Sequence, residues 1–218
     1  MQPPTLIHVD EAMIVADKPA GLLAVPGRGP DRADCLAARV QAQFADALVV
    51  HRLDMGTSGL MVFARGLQAQ QQLNRAFAER QVRKTYVAVV GGIVADDAGE
   101  IDLPLITDWP HRPRQMVDHV HGKSSLTRWR VLERHAAPDA AHSAGPNWTR
   151  LELTPVTGRS HQLRVHLMAI GHPIVGDELY APPALAAATP RLLLHAHRLV
   201  LAHPVSGHPV TSLSPTPF

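Results

Sequence analysis

The chain has 218 residues, enough to bury a substantial core as one large domain or two intimate lobes. With 45% hydrophobic and only 18% charged residues, it reads as folded and not as disordered. Lys+Arg 21 against Asp+Glu 19 gives a formal charge of +2, and the isoelectric point is near 9.0, so any affinity for nucleic acid must come from clustered cations. In chain order, residues 1–5 lack the basic and apolar segments of a secretory signal. Residues 12–16 form an apolar strand, and the following Asp17-Lys18-Pro19-Ala20-Gly21 is a turn set by proline and glycine. Cys35 is the single cysteine, which excludes an intrachain disulfide and points to a reducing compartment. Leu36, Ala37, Val40 and Phe44 then make one apolar stripe of a short helix.

Two apolar runs, residues 48–50 and 60–64, flank the polar loop that holds Asp54. Gly56, Thr57, Ser58 and Gly59 give that loop dense turn chemistry. A carboxylate in a loop on a rigid scaffold is either a catalytic group or a turn residue accepting backbone hydrogen bonds, and the residues alone leave both open. The spacing predicts a helix over residues 68–80 and a strand over 84–90 in which Tyr86 is either a core ring or a stacking platform. Residues 101–115 form an irregular basic loop with Arg112 and Arg114, and residues 125–132 and 148–153 a pair of strands. The Ala-, Pro- and Ser-rich residues 136–147 between them read as a surface loop.

A polar loop with Arg159 leads to Ser160 as helix N-cap, after which Leu163, Leu167 and Ile170 form a buried stripe. His161, Arg164 and Met168 share a different face. Residues 181–190 read as irregular, and residues 192–201 as a last strand, too short and too polar to span a bilayer. Strands in runs with few helices between them indicate an α+β fold with a mixed, mainly antiparallel sheet and flanking helices.

Clustered cations include Arg80, Arg83 and Lys84, and a second set of Arg112, Arg114, Lys123, Arg128 and Arg130. Such groups suit phosphate contacts, and the alternative is a solvated charged face. His195 and His197 share one face of a strand, but no ligand motif accompanies them, so a metal hydrolase built on His51, Asp54, His195 and His197 is a minor reading. No glycine-rich dinucleotide or phosphate loop is present, and no metal or other cofactor is expected.

Several segments together resemble the RluA-type pseudouridine synthases. His51-Arg52-Leu53-Asp54 followed by Thr57-Ser58-Gly59-Leu60 is similar to the family's catalytic motif. Residues 17–21 resemble its first motif, residues 84–88 the segment with its active-site tyrosine, and residues 157–167 and 171–177 its third motif and continuation. Leu193-Leu194-His195-Ala196 with His203-Pro204 matches the closing strand, which gives His195 a structural home. Residues 105–115 resemble the short, dual-specificity branch, whose targets are a uridine in the anticodon loop of certain tRNAs and another in a large-subunit rRNA hairpin.

The resemblance implies a single catalytic domain over residues 1–218 without an S4-like N-terminal domain, and a pseudouridine synthase fold with a central RNA-binding cleft. It implies an isomerase in which Asp54 is nucleophile or base, Arg164 holds it ionised, Tyr86 packs on the flipped uracil, Leu163 walls the pocket and Arg52 fills the vacated place in the RNA. His51, Thr57, Arg83, Lys84, Arg112, Arg114, Arg159 and His161 are the further candidates for RNA contact. The implied partners are tRNA and rRNA, for a cytoplasmic monomer with no obligatory protein partner and no membrane association. A non-catalytic RNA-binding protein of the same fold, or an enzyme restricted to one RNA class, are the alternatives.

Overall fold

The computed structural model describes residues 2–29, 32–136 and 147–218. The expected surface loop at 136–147 therefore lies almost wholly outside the described residues. Two compact units divide the chain, one made of Met1–Lys84 with His195–Phe218 and the other of Thr85–Leu194.

In the first unit, β1 (Thr5–Val9), β2 (Met13–Lys18) and β4 (Ser58–Arg65) run side by side and antiparallel, with β3 (Ala47–Val49) also paired to β4. Strand β11 (Leu194–Ala202) joins β4 in parallel through His195 and Ala196, and β12 (Pro209–Leu213) pairs antiparallel with β11. One parallel pair among antiparallel ones makes the sheet mixed, as the sequence indicates. Strands β2 and β4 are buried at almost every position because both faces are covered. On one face lies α2 (Gly66–Ala78), whose Ala69 and Leu73 pack with Met13, Val15, Leu60 and Val62. On the other lies α1 (Leu36–Gln41), whose Leu36, Ala37 and Val40 pack with Ile14, Met61 and Phe63. The Cys35 sulfur caps α1 by accepting from the Ala38 amide at 3.3 Å.

In the second unit, β5 (Arg83–Gly91), β10 (Trp148–Pro155), β9 (Leu126–His135) and β6 (Ala98–Asp102) form an antiparallel ladder in that order. A separate hairpin pairs β7 (Leu105–Thr107) with β8 (Gln115–Val117). The helix α3 (Gln162–Ala169) packs Leu163 and Leu167 against Ala88, Val90, Leu151 and Leu153. A four-residue helix, α4 (Pro183–Ala186), stands where irregular chain is expected, since Pro182 and Pro183 preset its first turn. No helix among the described residues is long and apolar enough to cross a membrane.

The start of α3 differs from expectation. Its N-cap is His161, with a left-handed φ of 53°, and not Ser160. His161 makes no side-chain cap bond, and the Gln162 carboxamide oxygen instead ties down the preceding loop, accepting from the Arg159 amide (3.0 Å) and the Thr157 hydroxyl (2.7 Å). Nor does the helix show only a stripe to the core, for residues 162–167 are all buried while Ile170 is exposed. Gln162 and His166 are buried because the protein satisfies them: Gln162 donates to the Leu126 carbonyl, and His166 bonds Thr127 and the Leu103 carbonyl.

Candidate active site

In the first unit, Asp54 lies in the loop between β3 and β4, half-buried, with exposed Arg52 and Met55 on either side. The Thr57 amide closes a tight turn on the Asp54 carbonyl at 3.1 Å. The Met55 carbonyl is held from two directions, by the Gly21 amide at 2.9 Å and by the Lys18 ammonium at 3.0 Å. Lys18 is fully buried, and its ammonium also donates to the Pro19 carbonyl (2.9 Å) and the Leu22 carbonyl (2.7 Å). A buried ammonium needs its donors matched, and three carbonyls do this. The Asp17–Gly21 turn is thereby fastened to the loop that carries Asp54, a role for Lys18 that polarity alone does not reveal.

The far side of this loop is fixed as tightly. Gly59 has φ of 110°, and a Cβ there would run into the backbone carbonyl of Ala196 on β11. Close approach of two backbones, as well as the positive φ, requires glycine at this point. Next to it, Ser58 Oγ lies 2.8 Å from His195 Nδ1, and His195 Nε2 lies 3.1 Å from Ser214 Oγ and 3.2 Å from the Ser214 carbonyl. Ser214 Oγ donates to Asp17 Oδ2 at 2.6 Å, so His195 carries a proton on Nε2 and donates it towards Ser214. His197 Nδ1 bonds the Ser214 carbonyl at 2.7 Å. Both histidines serve this buried network, and among the described residues no three His, Cys, Asp or Glu side chains group as metal ligands.

Two candidates for RNA contact in this unit are bound into the scaffold. The Val62 amide donates to His51 Nε2 at 2.9 Å, and the imidazole stacks on Phe77 of α2 with centroids 4.6 Å apart. Burial, aided by the positive charge of Lys84, lowers the His51 pKa to about 3, so it is neutral and part of the scaffold. Thr57 is only 3% exposed, and it shapes the Asp54 turn from within. Arg52 and Arg83 are exposed, as expected of phosphate-contacting groups. Lys84 is half-buried with its ammonium 6.0 Å from the Phe77 ring centre, and desolvation lowers its pKa.

In the second unit, Tyr86 pairs with Leu153 across β5 and β10, and its ring packs half-buried against the cluster that includes Leu163. It has the burial of a core-edge tyrosine with part of its surface accessible. Arg164 is 8% exposed, so it is no surface arginine. Its Nε and Nη2 form a two-pronged ion pair with Asp177, at 2.8 and 2.7 Å. Asp177 is held in turn by the amides of Leu179 (3.0 Å) and Tyr180 (3.2 Å). The Arg164 guanidinium carbon lies 5.0 Å from the centre of the Tyr180 ring, and Tyr180 Oη lies 2.7 Å from His161 Nδ1. Asp177 and Tyr180 are the functional residues that the sequence reading leaves without a role, although Asp177 ends a quoted motif segment.

The second basic cluster separates into two kinds. Arg128 pairs with Glu100 at 2.6 Å and Arg130 with Glu152 at 3.0 Å, forming the solvated charged face of β6, β9 and β10. Arg112, Arg114 and Lys123 are exposed without carboxylate partners among the described ion pairs, as is Arg159 outside that cluster.

A model of the RNA pseudouridylate synthase family matches residues 12–169. The dual-specificity RNA pseudouridine synthase RluA of Pasteurella multocida (strain Pm70) is 45% identical over 221 residues, covering 99% of this chain and 97% of its own. The protein of the same name from Vibrio vulnificus (strain CMCP6) is 49% identical, covering 94% and 82% respectively. Among solved structures, human RNA pseudouridylate synthase domain containing 1 superposes with a TM-score of 0.80 at 28% identity, over 100% of this chain and 87% of its own. With a loop built around one anchored aspartate, a buried arginine and these likenesses over nearly its whole length, the chain belongs to the RNA pseudouridylate synthase family, as a member of the RluA type.

Proposed function

We propose that this protein is an RNA pseudouridine synthase that isomerises uridines in structured RNA loops, both in a tRNA anticodon loop and in a large-subunit rRNA hairpin. The observation that carries the reading is Asp54 itself, a half-buried carboxylate in a loop pinned by Lys18 and Gly21 beside exposed Arg52. The dual range rests on the shared name of relatives at 45–49% identity.

The reaction breaks the N1–C1′ bond, turns the uracil and forms a C5–C1′ bond. The hydrogen on C5 leaves as a proton and N1 gains one, so no group is added and no electron is gained or lost. Asp54 acts at the sugar, either as the nucleophile at C1′ or as the base that removes a sugar proton. Arg164, held in a two-pronged pair with Asp177, is the cation that the resemblance of residues 157–167 to the family's third motif assigns to the reaction. Tyr86 and Leu163 supply the ring and apolar wall against the uracil, and Arg52 takes the place of the extruded base. Loop targets suit this scheme, because their bases are already partly unstacked.

The chemistry provides its own assay, since every turnover releases the C5 hydrogen to water. RNA hairpins with tritium at uridine C5, one with the anticodon-loop sequence and one with the rRNA hairpin, are both expected to release tritium with the purified protein. Release from one alone contradicts dual specificity, and release from neither contradicts the activity.

A further inference from the structure

The loop of residues 108–114, which joins β7 to β8, carries the exposed Arg112 and Arg114 but no group that takes part in the reaction above. It is tied to itself at every step. The Asp108 amide donates to the Arg114 carbonyl (3.0 Å), the His111 amide to the Asp108 carbonyl (3.1 Å) and the Arg114 amide to the His111 carbonyl (3.0 Å). His111 Nδ1 bonds the Asp108 carboxylate at 3.0 Å, and at the base of the loop the Gln115 amide donates to Tyr180 Oη at 2.8 Å. A loop so cross-linked presents its side chains in fixed places.

Trp109 stands on this loop and belongs to none of the apolar clusters among the described residues. It is 64% exposed, although burying an indole is among the largest apolar gains a side chain offers. The Arg112 guanidinium lies over the ring, 4.4 Å from its centre, and its Nε donates to the Trp109 carbonyl at 3.3 Å. One face of the indole is thus backed by a cation while much of the rest is open. Arg114 is exposed nearby in sequence, 5.5 Å from the Tyr180 ring centre. An open aromatic face beside guanidinium groups matches an unpaired nucleotide, whose base stacks on the ring while its phosphates meet the cations. A paired helix offers no free base face to such a surface.

We propose that Trp109, backed by Arg112, is a stacking platform for an unpaired base of the RNA substrate other than the reacting uridine, with Arg112 and Arg114 at the flanking phosphates. The proposal rests on the RNA reading above and narrows it, because it makes an unpaired neighbour nucleotide part of what the enzyme recognises.

The test uses the full-length protein, its W109A and W109F variants, the anticodon-loop hairpin and a fully paired duplex of the same length. Tryptophan fluorescence is expected to fall when wild type binds the hairpin and to stay unchanged in W109A, although Trp129 and Trp148 remain. Removing one stacked base raises the hairpin Kd and KM by about 5- to 100-fold in W109A, with kcat near wild type. W109F retains most of the affinity, and duplex binding is the same in all three. Melting temperatures stay close to wild type, as the ring packs in no cluster. Wild-type hairpin affinity in W109A, or an equal loss on hairpin and duplex, overturns the platform and leaves the synthase reading intact. Tryptophan-dependent hairpin binding by a wild type that releases no tritium overturns the synthase reading and leaves the platform intact.

Discussion

The Lys18 ammonium lies 3.0 Å from the Met55 carbonyl, thirty-seven residues further along the chain. That bond sets the backbone directly after Asp54 against the turn of residues 18–22, so the position of the carboxylate depends on a group that need not touch RNA. Misplacement of a reacting group by about 1 Å is enough to cost on the order of 10²-fold in rate. K18M is therefore expected to lower kcat by about 10- to 100-fold while KM changes little, because it loosens the Asp54 loop and leaves the exposed cations in place. Steady-state kinetics on a hairpin RNA measures this, with circular dichroism to verify the fold. A folded K18M enzyme with wild-type kcat contradicts the anchoring role.

The pair of Arg164 with Asp177 is buried on both sides, at 9% and 0% side-chain exposure. Removing one charge from such a pair leaves the other uncompensated, at a cost of about 3–5 kcal/mol. D177N is expected to lose stability of that size in urea denaturation and to lose activity as Arg164 reorients. D177N with unchanged stability would show that the pair is not what holds Arg164.

His51 predicts a pH dependence of folding. Its folded pKa of about 3 lies below the ordinary value of 6.5, so as pH falls below about 6.5 the unfolded chain binds a proton that the folded chain refuses. Stability therefore falls with decreasing pH, by at most about 1.4 kcal/mol per unit and less in practice, since solvent reaches part of the ring. The loss levels off near pH 3. Asp10, lowered to about 2 in the fold from 3.8, adds its own loss only below about pH 4, while His166, whose pKa burial also lowers, shares the window below 6.5 with His51. H51Q keeps an acceptor for the Val62 amide and is expected to reduce the slope in that window in denaturation curves, with the part due to His166 remaining. An unchanged slope in H51Q assigns the pH dependence elsewhere.

Gly59 tolerates no side chain. G59A places a Cβ against the Ala196 carbonyl at a φ of 110°, and both effects destabilise. A loss of about 2 kcal/mol or more is expected, seen as a melting temperature lower by several degrees. A melting temperature equal to wild type would mean that β4 and β11 separate easily at this point.

Much of the fold was legible because its central elements carry strong apolar patterns. Strands β2, β4, β5, β9, β10 and β11 and the helix α2 fall within a few residues of the sequence reading. The strands β1, β6, β7, β8 and β12 do not show in that reading, since they are three to five residues long and owe their form to pairing with partners. Asp54, Tyr86 and Arg164 were legible as candidates. The supporting groups were not, for Lys18 and Asp177 act through bonds to residues thirty-seven and thirteen positions away. Polarity assigns a lysine or an aspartate to the surface, and only the matched partners in the fold make their burial possible. The scaffold bonds of His51 and the burial of Thr57 were equally illegible, since a polar residue in a motif segment reads the same whether it faces a ligand or the chain beneath it.

The most direct test of the central claim is tritium release from C5-labelled hairpin RNA by D54N under single-turnover conditions, with RNA binding measured in parallel. The account predicts hairpin binding within a few-fold of wild type and a rate lower by about 10⁴-fold or more. Release at a rate near wild type, with binding intact, would contradict the assignment of Asp54 as the group that does the chemistry.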